Sequence, residues 1–173
     1  MSDMKNRWIA LYVENQVGVL AKVSGLFSGK SYNLQSLTVG TTEDETVSRM
    51  TICVTSDDIT FEQIKKQLNR MVEVIKVIDL TDVNIHMKEI LFVKVEGVDK
   101  DGMDQLFHIA SVFTDNGGNV RIVDLGGNAA IMESNDTEAH NNELVALLKS
   151  MFKRISVVRG GAVAIESIST CCR

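Results

Sequence analysis

The chain has no proline and only three cysteines in its 173 residues. Because proline is absent, its turns depend on glycine, asparagine and aspartate. Cys53 falls in a predicted strand, whereas Cys171 and Cys172 are adjacent near the C-terminus. This arrangement supplies neither a disulfide framework nor the spacing of a zinc site, so it favours a reducing compartment such as the cytoplasm.

The chain also lacks an excess of basic residues and a long apolar segment. Its formal net charge is −5, and its lysines and arginines are not clustered. Nucleic-acid-binding proteins usually present a basic face, so this charge disfavours such a role. No apolar run reaches the roughly 18 residues of a membrane span, and the N-terminus has no signal-peptide pattern. We expect a cytoplasmic protein that binds neither nucleic acid nor membranes.

The first half shows strand and helix periodicities in the order β-α-β-β-α-β, which defines a ferredoxin-like unit. In the third strand, Met50, Ile52 and Val54 alternate with Arg49 and Thr51, which predicts one core-facing side. The predicted strands are 7–14, 33–40, 47–55 and 72–80, and the predicted helices are 17–30 and 59–71.

The second half repeats this order. The predicted strands are 88–96, 119–125, 129–133 and 155–158, the first helix contains Leu106 and Phe113, and the last contains Leu144 and Leu148. A turn at Gly160-Gly161 is predicted to return the chain as an extra strand, 162–165. The fold class is therefore α+β with two ferredoxin-like domains in tandem, residues 1–80 and 81–173.

An offset of 86 residues relates the two halves. It carries apolar, asparagine and glycine positions onto equivalent ones: Leu20 onto Leu106, Val23 onto Ile109, Phe27 onto Phe113, Asn33 onto Asn119 and Gly40 onto Gly126. The same offset carries Gly18 onto Asp104, in a region that also contains Asp99 and Asp101. The second copy is therefore too acidic at this place to receive a carboxylate ligand.

Residues Glu14–Leu20 connect a buried strand to the first helix and form the most informative segment. The Asn15-x-x-Gly18 turn is predicted to direct free N–H groups of the new helix towards one point, as a small carboxylate requires. Asn15 offers a side-chain oxygen for an ammonium group, while Val19 and Leu20 offer apolar side chains. The segment indicates amino-acid sensing rather than catalysis.

Structural interpretations of the same residues remain open. Gly18 can be a simple turn glycine, Asn15 a helix cap and Asn33 a residue that merely begins a strand. The Glu43-Asp44-Glu45 run predicts a solvated hairpin tip, with a partner or metal contact as the alternative. The three histidines have no metal-ligand spacing.

Several segments over residues 7–80 form a dense set of motifs. They are Val13-Glu14-Asn15-x-x-Gly18-Val19-Leu20, Gly25-Leu26-Phe27-Ser28, Tyr32-Asn33-Leu34-Gln35-Ser36-Leu37-Thr38-Val39-Gly40, Thr42-Glu43-Asp44, Ser48-Arg49-Met50-Thr51-Ile52, Gln63-Ile64-x-Lys66-Gln67-Leu68 and Val74-Ile75-Lys76-Val77. This set resembles the N-terminal ACT domain of the regulatory small subunit of acetohydroxyacid synthase (acetolactate synthase). Ser31 and Thr41 depart from the glycine and proline usual in that family. In the second half, Lys88–Val95 and Ile122–Leu125 resemble the family's C-terminal domain.

The resemblance implies a non-catalytic protein that binds and activates the catalytic subunit and confers feedback inhibition by branched-chain amino acids, chiefly valine. Thiamine diphosphate, FAD and magnesium belong to that partner, so no cofactor is expected here. In the family, the effector lies between the ACT domains of a dimer. The site residues that this implies here are Asn15, Gln16, Val17, Gly18, Val19, Leu20, Asn33 and Leu34. In such a site, Asn33 would join Asn15 in offering a side-chain oxygen to the ammonium group, and Leu34 would join Val19 and Leu20 in an apolar pocket.

Other function classes share some of these sequence features. A free-standing tandem-ACT amino-acid sensor without an enzyme partner is the alternative. RNA-recognition motifs share the element order but need exposed aromatic residues on their central strands, which Met50, Ile52 and Val54 do not provide. No set of catalytic residues is recognisable. An edge position for strand 33–40 would allow pairing with a second copy, so we expect at least a homodimer.

Overall fold

The computed structural model describes residues 4–30 and 32–168. Ser31, Cys171 and Cys172 lie outside the described residues. By their internal contacts, the described residues form two compact units. The first comprises residues up to His86 together with those from Val163 onward, and the second comprises Met87–Ala162. The residues after Ala162 therefore group with the first unit rather than with the rest of predicted domain 81–173.

The first unit is a four-stranded antiparallel sheet in the order β2-β3-β1-β4. The element order is the predicted β-α-β-β-α-β, with β1 Lys5–Glu14, α1 Val19–Gly29, β2 Asn33–Thr41, β3 Val47–Ser56, α2 Asp58–Leu68 and β4 Val74–Asp79. The two central strands, β1 and β3, pair in register, with Tyr12 opposite Arg49 and Glu14 opposite Val47. Strand β2 is an edge strand, as its proposed role in pairing requires.

The core of the first unit lies between one face of this sheet and both helices. The core-facing strand residues include Ile9, Leu11, Met50 and Ile52, each at most 1% exposed. The helices contribute Val23, Phe27, Phe61, Ile64 and Leu68. This confirms the predicted alternation in β3, because Met50, Ile52 and Val54 all face the helices.

The second unit repeats this topology, with strand order β6-β7-β5-β8. Its elements are β5 Ile85–Glu96, α3 Lys100–Asp115, β6 Val120–Leu125, β7 Ala129–Asp136, α4 Glu138–Met151 and β8 Ile155–Glu166, of which residues 85–86 and 163–166 group with the first unit. The Gly126-Gly127-Asn128 turn joins β6 to β7, and the N–H of Gly126 donates to the Ala129 carbonyl at 2.7 Å. The tandem ferredoxin-like fold is thereby confirmed. None of the helices in the described residues is long and apolar enough to cross a membrane.

The predicted turn at Gly160-Gly161 is wrong. Ile155–Glu166 is one continuous strand, and Gly161 takes a φ of 78° within it. The strand continues beyond the glycines because Ala162 and Ala164 are both buried. A glycine pair permits a turn, but here burial of the following alanines keeps the chain extended.

The two units differ where their first helices begin. Helix α3 has 16 residues and starts after Asp99, whose carboxylate accepts a hydrogen bond from the N–H of Gly102 at 2.8 Å. Helix α1 has 11 residues and starts after Gly18, with no side-chain cap. The structural counterpart of Gly18 is therefore Asp99, because the longer α3 begins earlier than the offset of 86 predicts.

A polar cluster in the second unit is centred on the carboxylate of Asp136, whose side chain is only 3% exposed. It accepts hydrogen bonds from Lys88 at 3.0 Å and from the N–H of Thr137 at 2.7 Å, and it lies 2.9 Å from Nδ1 of His140. Burial opposes ionisation of this carboxyl, but its hydrogen-bond partners outweigh burial, so the pKa of Asp136 lies below its usual value.

This pKa shift predicts a pH-dependent stability. Because the pKa of Asp136 is lower in the folded state, its ionised carboxylate contributes to the free energy of unfolding. This contribution is complete above the unfolded-state pKa of about 3.9 and is lost as the pH falls through the folded-state pKa. We expect Asp136→Asn to lower the free energy of unfolding by about 2–3 kcal/mol at pH 7 and by progressively less as the pH falls below about 3.9. Urea unfolding of both proteins at pH 7 and at a series of pH values below about 3.9 measures this, and a difference that stays constant would contradict it.

Candidate functional site

The turn between β1 and α1 is organised by Gly18, which occupies the N-cap position with φ 90°. A side chain at such a positive φ is strained, and this conformation explains a glycine here. A Cβ atom added at Gly18 would meet no other atom within 4 Å. The space beside the start of the helix is therefore open.

The first turn of α1 carries free backbone donors. The N–H of Val19 donates to the Gln16 carbonyl at a long 3.3 Å. Within residues 4–30 and 32–168, no acceptor is found for the N–H groups of Gly18, Leu20 and Ala21. The first helical turn also contains no acidic side chain. This end of the helix, with its partial positive charge, can therefore receive an anion.

Asn15 fastens the turn to the β2–β3 hairpin. Its Nδ2 donates to the Glu45 carbonyl at 2.8 Å, and its Oδ1 accepts from the hydroxyl of Ser48 at 3.0 Å. Its backbone N–H donates to the Thr46 carbonyl at 2.7 Å. The interpretation of Asn15 as a helix cap is thus wrong, since Gly18 is the N-cap. One lone pair of Oδ1 remains for a ligand.

The apolar residues of the turn are placed differently from one another. Val17 is fully exposed, and Leu20 is 43% exposed on the first turn of the helix. Val19 is 3% exposed and belongs to the core with Val23 and Phe27. The expectation that the Val19 side chain lines a ligand pocket is therefore wrong, because it is already buried against the sheet. Gln16 is exposed.

Asn33 and Leu34 do not lie beside the turn within one copy of the chain. Asn33 is exposed at the start of β2, opposite Thr55 of β3, and Leu34 packs against the core. The turn adjoins Ser48 at the other end of β3. Thr55 and Ser48 are seven positions apart, or roughly 23 Å at the usual rise per residue. The two groups of predicted site residues thus occupy opposite ends of the sheet.

The Glu43-Asp44-Glu45 run is a hairpin tip, as predicted. Asp44 bonds within this loop, accepting from the N–H and the hydroxyl of Thr46 at 2.9 and 2.6 Å. These bonds hold the pKa of Asp44 below its usual value. In the part of the chain that the structure describes, no group of three histidine, cysteine or acidic residues could hold a metal ion.

Sequence reasoning missed two features near the turn. The partners of Asn15 were not foreseen, because Glu45 and Ser48 lie 30 and 33 residues further along the chain. It also missed the grouping of Arg49, Tyr12 and Glu166 on the other face of the sheet, in which Arg49 lies 117 residues before Glu166. The alternation of β3 indicated only that Arg49 points away from the core.

Comparison with known proteins agrees with both units. Residues 9–76 match the ACT domain of the acetohydroxyacid synthase small subunit, and residues 88–168 match the small subunit of acetolactate synthase. The acetolactate synthase small subunit of Aquifex aeolicus is 36% identical, with 95% of this chain and 82% of that protein covered. The isozyme 3 small subunit of Escherichia coli is 32% identical, with 92% and 94% covered.

A solved structure agrees with the fold. The crystal structure of the acetolactate synthase small subunit from Thermotoga maritima matches with a TM-score of 0.84 and 31% sequence identity, covering 96% of this chain and 99% of that one. The chain therefore belongs to the family of acetolactate synthase small subunits, which are regulatory and not catalytic.

Proposed function

We propose that this chain activates the catalytic subunit of acetohydroxyacid synthase and confers feedback inhibition by valine. The observation that carries the effector site is the glycine-capped start of α1, where free N–H groups face open space without an acidic neighbour. The thiamine diphosphate, FAD and magnesium chemistry belongs to the catalytic partner, and this chain needs no cofactor of its own.

The α-carboxylate of valine would accept hydrogen bonds from the N–H groups of Leu20 and Ala21. The helix dipole adds about 0.3–1 kcal/mol to this interaction, and up to ~2 kcal/mol in a partly buried site. The ammonium group would donate to the free lone pair of Asn15 Oδ1 and to the side chain of Asn33. Neither contact requires a charged protein group.

The isopropyl group would pack against exposed apolar surface, for which Leu20 is the available side chain in the turn. Alanine has two carbons fewer than valine, and each buried CH₂ contributes about 0.8 kcal/mol. The expected preference for valine over alanine is therefore about fifteenfold.

A dimer would bring the separated residues together. If two copies pair antiparallel through their β2 edges around a two-fold axis, the start of each β2 lies beside the end of the other. Asn33 of one copy then adjoins Thr41 of its partner. Thr41 pairs with Ser48, whose hydroxyl contacts Asn15. Each effector site would thus combine the Gly18 turn of one protomer with the β2 start of the other.

Feedback control follows from binding across this interface only if the two enzyme states differ in effector affinity. An effector that binds both states with equal affinity does not shift the equilibrium between them. Valine would therefore stabilise one arrangement of the two protomers, and the catalytic subunit would be less active when bound to that arrangement.

Reconstitution with an acetohydroxyacid synthase catalytic subunit tests this function. We expect added chain to raise synthase activity, and valine to lower the raised activity at concentrations about fifteenfold below those needed for alanine. Activity without the chain is the control, since valine should leave it unchanged. A free-standing sensor would show the opposite result, with valine binding but no effect on synthase activity.

A further inference from the structure

The first unit has a cavity on the sheet face that points away from α1 and α2. Because side chains alternate along a strand, Tyr12, Arg49 and Thr51 face this side, while Leu11, Met50 and Ile52 face the core. The cavity measures about 320 Å³, within the usual range of about 300–1,000 Å³ for ligand sites. Val163 and Ile165, which belong to the same compact unit, complete its lining.

Arg49 is the basic residue of this cavity, whose lining also includes the acidic residue Glu43. Its side chain is only 15% exposed, its guanidinium carbon lies 5.5 Å from the ring centre of Tyr12, and one terminal nitrogen lies 3.2 Å from Glu166 Oε2. Its Nε is buried and has no hydrogen-bond partner in the described residues. A guanidinium has five N–H donors, and the hydrogen bond to Glu166 uses one of them.

Glu166 shows that this guanidinium can donate to a carboxylate. It is a carboxylate that reaches Arg49 from the last residue of β8, with a side chain 36% exposed. A carboxylate that is not attached to the chain could approach the guanidinium in the two-pronged geometry that Arg favours, which Glu166 does not achieve. Glu166 is thus an internal carboxylate at the charged end of the cavity.

The remaining lining fits an aliphatic group. Val163 and Ile165 are 61% and 57% exposed, so each presents uncovered apolar surface at the cavity. A short branched chain extending from Arg49 would cover part of this surface and gain the associated hydrophobic stabilisation.

We propose that this cavity binds a short aliphatic carboxylate, whose carboxyl group replaces Glu166 at Arg49 and whose hydrocarbon chain covers Val163 and Ile165. The site is separate from the Gly18 turn, because it lies on the sheet face opposite the helices. It uses neither the free N–H groups of α1 nor an ammonium group, and it does not depend on the proposed valine site.

Calorimetric titration of the full chain with isovalerate tests the proposal. Glu166→Gln removes the competing charge, so isovalerate should bind this variant about tenfold more tightly than wild type. A gain in affinity cannot result from misfolding. Arg49→Gln should weaken binding about tenfold, and Arg49→Lys, which keeps the charge but not the planar fork, should fall between it and wild type.

Two controls separate this site from the effector site. Gly18→Asp should bind isovalerate as wild type does, and the neutral amide isovaleramide should not bind the Glu166→Gln variant more tightly than wild type. The proposal would be overturned if Glu166→Gln bound isovalerate no more tightly than wild type. It would also be overturned if Arg49→Gln kept wild-type affinity for isovalerate, or if Gly18→Asp lost isovalerate binding.

Discussion

Gly18→Asp should abolish valine binding, with a loss of affinity of at least about 100-fold. Helix α3 shows the reason, because the Asp99 carboxylate already occupies the first-turn N–H of Gly102. An aspartate at position 18 would place a carboxylate beside the N–H groups of Leu20 and Ala21 and would repel the ligand carboxylate. Two lost charge-assisted hydrogen bonds, each contributing about 1.5 kcal/mol, account for the size of the effect. Calorimetric titration with valine measures it.

Gly18→Ala is the matched control for this variant. It imposes the same backbone strain at φ 90°, about 1–2 kcal/mol, but adds no carboxylate. We expect it to lower the free energy of unfolding by about that amount and to keep valine affinity within about tenfold of wild type. If alanine removed binding as completely as aspartate, conformation rather than charge would be responsible. Valine binding to Gly18→Asp at wild-type affinity would place the effector elsewhere.

Val39→Lys should convert the dimer proposed above into monomers at micromolar concentration. Val39 lies on edge strand β2 and is 46% exposed, which is apolar surface that pairing with a second β2 would cover. Lysine on an edge strand opposes pairing between edges, and a two-fold interface would contain two such lysines. We expect the dimer dissociation constant to rise about 100-fold, which corresponds to about 2.8 kcal/mol. Sedimentation or light scattering over a concentration series measures this change.

Ile75→Lys provides the control on the other edge of the same sheet. Ile75 lies in β4 and is 58% exposed, so the substitution adds the same charge at a comparable position. It should leave both the dimer and valine binding intact, whereas Val39→Lys should weaken valine binding together with the dimer. Dissociation by Ile75→Lys but not by Val39→Lys would assign the interface to β4 instead of β2.

The sequence predicted the fold well because its signals are local. The alternation of Met50, Ile52 and Val54 and the helical spacing of Val23 and Phe27 each depend on neighbouring residues only, and the structure places all five in one core. The repeated order then specified two similar sheets. The prediction of a turn at Gly160-Gly161 was wrong because Ala162 and Ala164 are buried and the strand continues through them. That burial depends on the rest of the sheet, which a local glycine pattern does not reveal.

The candidate site was less accessible to sequence reasoning. The Asn15-x-x-Gly18 pattern located the start of α1, yet the contacts of Asn15 with Glu45 and Ser48 join segments that are distant in sequence. The side chain of Val19 was misplaced because a residue at the start of a helix can face either ligand or core, and only packing decides between them. The 117-residue separation of Arg49 and Glu166 has no sequence signature.

The most direct measurement is valine binding by mixed dimers of Gly18→Asp and Asn33→Ala chains, formed by co-refolding the two variants. If each site combines the turn of one protomer with Asn33 of the other, every mixed dimer has one intact site, although neither variant binds well alone. Random mixing should then restore valine binding to about a quarter of all sites. Failure of mixing to restore binding, in samples where mixed dimers are present, would contradict a site shared between two protomers.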